Sequence, residues 1–340
     1  MDWTDSSKTA ALRDILRKSS QIVIVSHTRP DGDAVGSSFG VARWLRSQGK
    51  QVTTLFPDPV PATLDFLFTD TDRSFCRIHT EDPAGAAAAI QAADLVICVD
   101  FPQLRRSEGL ETLLRECKAC KILIDHHPGP ETEAFDLCFS RTDISSASEL
   151  AFWVLDAIDA KLPLDAATAL MAGMTTDTNN FANSTYPSTL EMAARMLEIG
   201  VDREALIAEI YHSYEERRLR AMGLLLQEMT LTPDGVAYMI LTAARRDAFG
   251  LGDGDTEGFV NLPLAIRQVR MSLFLREEEG VYRVSIRSKR GTSANQLARK
   301  WFHGGGHELA AGGKLFFPED IPTSADAAAF IEKVTHEELC

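Results

Sequence analysis

Three short apolar runs in the first 125 residues each stop at an acidic or imidazole side chain. This repeat limits the fold more than any other feature of the chain. Gln-Ile-Val-Ile-Val-Ser at 21–26 stops at His27, the run from Asp94 to Val99 stops at Asp100, and Lys-Ile-Leu-Ile at 121–124 stops at Asp125. Apolar residues without alternation are what a strand shows when both of its faces are covered, as in a parallel sheet. Between these runs Val35, Phe39, Ala42 and Leu45 keep a helical spacing that ends at Gly49, and Gln51 to Phe56 reads as a further strand. The Ala-rich stretch before Asp94 and the segment from Leu110 to Cys117 read as the intervening helices. Repeated β-helix-β units predict an α/β fold with a parallel sheet and helices on both faces. In such sheets ligands bind beyond the carboxyl ends of the strands, where His27, Asp100 and Asp125 all fall.

The second half has another character. Ser145 to Ile158 and Asp165 to Met174 are predicted helices, the second leading into Thr175-Thr176-Asp177. From Ser188 to Met229 the pattern is almost wholly helical, and Glu215-Glu216-Arg217-Arg218 suits a solvated helix face. Beyond Pro233-Asp234-Gly235, Val236 to Thr242 reads as a strand, and Arg270 to Arg276 with Tyr282 to Arg287 as a hairpin around Glu277-Glu278-Glu279-Gly280. Gly250 to Gly258 lacks the spacing of a calcium loop and is read as the lead into a helix from Gly258, with Thr256 as its N-cap. A last helix, Ser293 to Trp301, runs into Gly304-Gly305-Gly306-His307. With 340 residues two domains are expected: 1–187, a helical connection over 188–229, and a smaller C-terminal α/β domain over 230–340.

A net charge of −14 argues against a surface that grips long duplex nucleic acid, which requires many phosphates to be neutralised. The polar start, Met1 to Lys8, lacks the basic and apolar regions of a signal peptide. The most apolar window, Ala86 to Val99, is broken by Gln91 and Asp94 and falls short of the ~18 residues that span a membrane. The expectation is a cytoplasmic protein with no membrane partner. Six cysteines are too sparse for a disulfide scaffold, and Cys117 and Cys120, two residues apart, have no second pair to complete a zinc motif.

Chemistry concentrates at the strand ends. His27-Thr28-Arg29-Pro30-Asp31-Gly32-Asp33 places a His and two Asp within seven positions, although Pro-Asp-Gly alone reads equally well as a turn. Asp100, Asp125-His126-His127 and Asp177 tip the balance towards metal binding, because an Asp at a buried strand end is costly unless it meets a metal or hydrogen-bond donors.

In this order the motifs resemble those of the DHH phosphoesterase superfamily, which includes the RecJ exonucleases and family II pyrophosphatases. Arg287-Ser288-Lys289 followed by Gly304-Gly305-Gly306-His307 resembles the DHH-associated C-terminal domain. The two-domain oligoribonuclease and pAp phosphatase group, the nanoRNases, is the nearest in kind, pAp being 3′-phosphoadenosine 5′-phosphate. The resemblance implies two divalent ions, Mn²⁺ in preference with Mg²⁺ as the alternative, since carboxylates and imidazoles without thiolate suit Mn²⁺ better than Zn²⁺. It assigns His27, Asp31 and Asp100 to one ion and Asp33, Asp100, His126 and Asp177 to the other, with Asp100 as the bridge. Asp125 would orient an imidazole, and His127 would contact phosphate or protonate the leaving oxygen. Arg287, Ser288, Gly304, Gly305, Gly306 and His307 would hold the substrate, a guanidinium pairing well with a terminal phosphate. One departure stands out: many relatives have a small hydroxyl residue after the second-motif Asp, where this chain has Phe101.

The implied activity is hydrolysis of very short RNA, linear dinucleotides and nucleotide phosphates, and a homodimer is compatible with it. The alternatives are an exopolyphosphatase or pyrophosphatase, a cyclic-dinucleotide phosphodiesterase, and a non-catalytic nucleotide sensor.

Overall fold

The computed structural model describes residues 6–252 and 254–339. The chain divides into two compact units that meet in sequence at Ser213 and Tyr214.

The first unit holds six strands, β1 (Gln21–Val25), β2 (Gln51–Phe56), β3 (Cys76–Ile78), β4 (Leu95–Val99), β5 (Cys120–Asp125) and β6 (Leu137–Ser140). They form one parallel sheet in the order β3-β2-β1-β4-β5-β6. Its helices are α1 (Ser6–Lys18), α2 (Gly32–Ser47), α3 (Asp70–Phe75), α4 (Pro83–Ala92), α5 (Glu111–Glu116), α6 (Ala147–Asp156), α7 (Leu164–Asp177), α8 (Pro187–Ile199) and α9 (Arg203–Tyr211). Ile22 and Ile24 of β1 point into a large core with α2, α6 and α7. Val23 and Val25 point into a second core that α4 and α5 cover. This two-sided burial explains the apolar runs, since successive residues on both faces of a central strand leave water and contribute to the hydrophobic term. From β1 the chain runs outward to β2 and β3, then returns to place β4 on the other side of β1. The strand order therefore reverses between β1 and β4, where an open α/β sheet leaves its binding crevice.

Helix α2 is packed unusually closely on α7. A Cβ on Gly36 would lie 2.6 Å from the carbonyl oxygen of Ala169 and 2.7 Å from the nitrogen of Gly173, and one on Gly40 would lie 2.4 Å from the Leu170 side chain. Together with Gly32, whose Cβ would meet Thr176 Oγ1 at 2.4 Å, these residues form a seam at four-residue spacing along one face of α2.

The second unit begins with α10 (Glu216–Gln227) and carries β7 (Thr230–Leu231), β8 (Val236–Leu241), α11 (Ala243–Phe249), β9 (Met271–Glu278), β10 (Val281–Ser288), α12 (Ala294–Trp301), β11 (Gly305–Gly306), β12 (Ala310–Phe316) and α13 (Ala327–Leu339). Its sheet, β11-β12-β10-β9-β8-β7, is antiparallel except for the β8–β9 pair. The β9–β10 hairpin is the one read from the sequence. Helix α12 is not the last: α13 follows, its Ile331 and Val334 buried against the sheet. The expected helix from Gly258 is instead a 3₁₀ turn over Phe259–Ala265, capped by Gly258 at φ +81° with no bond from a side chain, so Thr256 is not its N-cap. Of the helices between 188 and 229, α8 and α9 belong to the first unit and α10 to the second.

Candidate metal centre

Each of the first unit's candidate ligands is delivered by an identifiable local device. Asp31 caps α2, its Oδ1 accepting from the N–H groups of Asp33 and Ala34 at 3.1 Å. Asp33, in the first turn of the helix, is buried, and its Oδ2 and Oδ1 accept from the first N–H groups of α6, those of Ala147 at 2.6 Å and Ser148 at 2.9 Å. A carboxylate at a helix N-terminus meets unpaired donors and the positive end of the helix dipole. Asp100 leaves β4 with φ +64°, its N–H donating to the Ile124 carbonyl oxygen of β5 at 3.0 Å. Asp177 is the final residue of α7.

These devices converge on Asp100. His27 Nε2 lies 3.4 Å from Asp100 Oδ2 and 3.8 Å from Asp31 Oδ1. His126 Nε2 lies 3.4 Å from Asp100 Oδ1, 3.7 Å from Asp177 Oδ2 and 4.0 Å from Asp33 Oδ2. The structure thus gathers His27, Asp31 and Asp100 as one group able to hold a cation, and Asp33, Asp100 and His126 as another, with Asp100 common to both. Asp125, fully buried, takes a different part: its Oδ1 is 2.9 Å from His127 Nδ1 and its Oδ2 accepts the His127 N–H at 3.0 Å. His127 is therefore the imidazole that Asp125 orients.

The electrostatics match a site suited to a divalent cation. Asp100 Oδ1 is buried without a hydrogen-bond partner, although a bare buried acceptor is costly. Burial would raise the Asp100 carboxyl, but the imidazoles of His126 and His27 beside it hold it far below the ordinary range. Burial by itself would push His126 down; the adjacent Asp100 carboxylate and the charges of Asp177 and Asp33 raise it to about 10. His27 follows the same balance, with Asp100 and Asp31 raising it to about 9. Desolvation, with Asp100 and Asp177 beside it, pushes Asp33 well above the usual carboxyl range, and Asp177 is raised to about 6 by desolvation and the charges of Asp100 and Asp31. The raised carboxyls of Asp33 and Asp177 mark negative charges crowded together away from water. A divalent cation offsets them, and the donor set of carboxylate oxygens and imidazole nitrogens fits one.

In the second unit Arg287 and Gly304 to His307 meet at one end of the sheet, since Arg287 pairs with Ala310 and Gly306 with Ala311. Arg287 donates to the Ile286 carbonyl oxygen at 3.0 Å. Ser288 lies on the core face of β10 and donates its hydroxyl to the Thr292 carbonyl oxygen at 2.9 Å. The glycines serve packing first: a Cβ on Gly304 would lie 1.9 Å from the Gly312 carbonyl oxygen, and the Gly306 N–H donates to Asn295 Oδ1 at 3.2 Å.

The sequence reading missed the grip of α6 on Asp33. Its signal was present in Ser146-x-x-Glu149, the start of a capping box, and Ser146 Oγ does accept the Glu149 N–H at 2.9 Å. It also missed Asp58, which binds the loop between His27 and Asp31 from the next strand end; no local pattern marks that residue.

Comparison with known proteins agrees with this geometry. The DHH family N-terminal domain matches residues 21–174 and the DHHA1 domain residues 235–333. The chain is 31% identical to the bifunctional oligoribonuclease and PAP phosphatase NrnA of Thermus thermophilus, over 86% of this chain and 84% of that protein. It is 30% identical to the probable protein of the same name from Streptococcus mutans, over 87% and 89% respectively. A crystal structure of an exopolyphosphatase-related protein from Bacteroides fragilis shares the fold with a TM-score of 0.91 and 32% identity, covering 98% of this chain and 96% of that one. Near full-length similarity and two domain matches in sequence place the chain in the DHH family, its DHH domain followed by a DHHA1 domain.

Proposed function

We propose that this protein is a two-metal phosphoesterase that hydrolyses very short oligoribonucleotides, linear dinucleotides and 3′-phosphoadenosine 5′-phosphate. The names of its near full-length relatives support the substrate class. The observation that carries the chemistry is Asp100, a buried carboxylate with an unpartnered oxygen and an imidazole 3.4 Å away on either side. In this reading His27, Asp31 and Asp100 hold one ion, and Asp33, Asp100, His126 and Asp177 hold the other. Such a pair, Mn²⁺ by preference and Mg²⁺ as the alternative, lowers the pKa of water and neutralises phosphoryl oxygens.

The chain's own residues do the rest. Asp125 orients His127 through Nδ1, and the ring as an imidazolium would donate its Nε2 proton to the leaving oxygen. The two groups on Asp33 Oδ1 and Oδ2 keep that carboxylate in a single rotamer. In the second unit Arg287, Ser288, Gly304 to Gly306 and His307 are the residues assigned to substrate binding. The proposed division is a catalytic part over 1–187, a connection over 188–229 and a substrate-binding part over 230–340. The protein works in the cytoplasm on small substrates; among the described residues no helix is long and apolar enough to cross a membrane.

The test is a panel of substrates: RNA of two to 24 nucleotides, linear dinucleotides, 3′-phosphoadenosine 5′-phosphate and polyphosphate, each with chelated, Mn²⁺-restored and Mg²⁺-restored protein. Rates should fall steeply with chain length, vanish on chelation and return best with Mn²⁺. Full activity in protein shown by elemental analysis to be metal-free, or a preference for polyphosphate, would overturn the reading.

A further inference from the structure

Arg29 stands between His27 and Asp31 with φ +54°, a region that long side chains rarely enter. Its backbone is clamped there. The Asp58 carboxylate, from the loop after β2, accepts the Arg29 N–H at 2.8 Å and also the Thr28 hydroxyl. The Thr28 N–H donates to the Arg106 carbonyl oxygen at 2.9 Å. Arg106 lies in the 3₁₀ turn Leu104–Leu110, shortly after Asp100. These bonds join two arginines, one from each side of the strand-order reversal, into one lip beside His27, with Arg105 next to Arg106. All three are exposed.

Their lack of partners sets them apart. Elsewhere in the first unit the arginines face carboxylates or rest on the rings of Phe75 and Phe181. Among the described residues, Arg29 and Arg106 have side chains in no ion pair, hydrogen bond or ring contact. Asp58 binds the backbone of this loop, accepting from a main-chain N–H and a hydroxyl, and pairs with neither guanidinium. In a chain of net charge −14, the lip sets unpaired guanidinium groups next to a cluster of carboxylates. A planar guanidinium is the group best shaped to grip a phosphodiester.

We propose that Arg29 and Arg106 form a phosphate-binding lip that seats an internucleotide phosphate neighbouring the one hydrolysed. The inference rests on the reading of the protein as a hydrolase of short RNA and adds a chain-length rule to it. A dinucleotide has one internucleotide phosphate, which the metal centre takes; a tri- or tetranucleotide has a further one for the lip.

The test compares R29A and R106A with the wild type and with R46A, a control whose guanidinium lies over Phe75. Steady-state kinetics are read on a tetraribonucleotide and a dinucleotide. Binding of a fluorescein-labelled tetranucleotide with hydrolysis-resistant linkages is read by anisotropy across a salt series. Each lip variant should raise KM for the tetranucleotide about tenfold or more, the scale of a lost charged hydrogen bond. The dinucleotide KM should change far less, and kcat should stay within about threefold. The slope of log Kd against log salt should fall by ~0.7 per lost contact, while R29K should restore part of the loss. Equal losses on both substrates, or an unaltered tetranucleotide KM and Kd, would sink the lip. If the wild type cuts neither RNA, the hydrolase reading falls, and the anisotropy data still decide the lip: weaker binding by R29A and R106A upholds it, unchanged binding ends it.

Discussion

Asp100 joins a strained backbone to an incomplete electrostatic environment, and both features make the same residue indispensable. Its φ of +64° is tolerated by Asp and Asn but by few other side chains. Asp100→Asn therefore keeps the turn and removes only the charge. In the proposed mechanism turnover should drop by at least ~10³-fold, the scale of single electrostatic catalytic elements, and bound metal per protein, measured by elemental analysis, should fall with it. A folded D100N that retains both would misplace the bridge. The imidazoles give a second expectation. In metal-free protein His27 and His126 are raised to about 9 and about 10, above the ordinary value near 6.5. A group raised on folding stabilises fully below its unfolded pKa, and that stability is lost as pH climbs through the folded value. Chelated protein should thus lose thermal stability between pH 6.5 and 10. With a divalent ion present the imidazoles are already neutral, so this slope should disappear. Melting curves in the two conditions check it, and identical slopes would argue that the imidazoles do not face the ion.

At the scale of elements, the ligand geometry depends on residues that touch no ligand. Helix α2 starts with Asp31 and Asp33, α7 ends with Asp177, and the glycine seam between them sets their spacing. Gly36→Ala puts a methyl 2.6 Å from a backbone oxygen that cannot rotate away. We expect a loss of about 1–3 kcal/mol in stability, typical of overpacking, with a fall in activity larger than the lost folded fraction explains. Denaturant unfolding and kcat on the same preparation separate the two effects. The seam also shows what could be read from the chain beforehand. β1, β2, β4 and β5 were legible because central strands carry runs of apolar and β-branched residues, and the strand ends pointed to His27, Asp100 and Asp125. β3 and β6 were not, since edge strands of three and four residues are half-exposed and leave no run. The glycine seam of α2 carried no signal in the sequence, because close approach between helices is a property of the pair rather than of one segment. The clamp of α6 on Asp33 spans more than 110 residues and has the same character.

For the whole molecule, the hydrophobic clusters each stay within one unit, 12–210 for two of them and 221–334 for the other two. The candidate metal groups on Asp100 lie in the first unit. Calorimetry should therefore show chelation lowering the first unit's transition while the second's stays in place, with saturation to 100 times Kd worth about 2.7 kcal/mol per site. A single transition that shifts as a whole would contradict this.

The strand order has a kinetic meaning as well. β1 can pair with β2 as soon as both are made, but its other edge waits for β4, and the cation groups need His27 from one side and Asp100 from the other. The site is consequently a product of late, long-range pairing, which is slow to form. An ion bound there holds the finished sheet closed and slows unfolding, with little influence on folding speed. Metal supply thus acts on the lifetime of the protein more than on its making: a starved cell would fold it at the usual pace and lose it sooner.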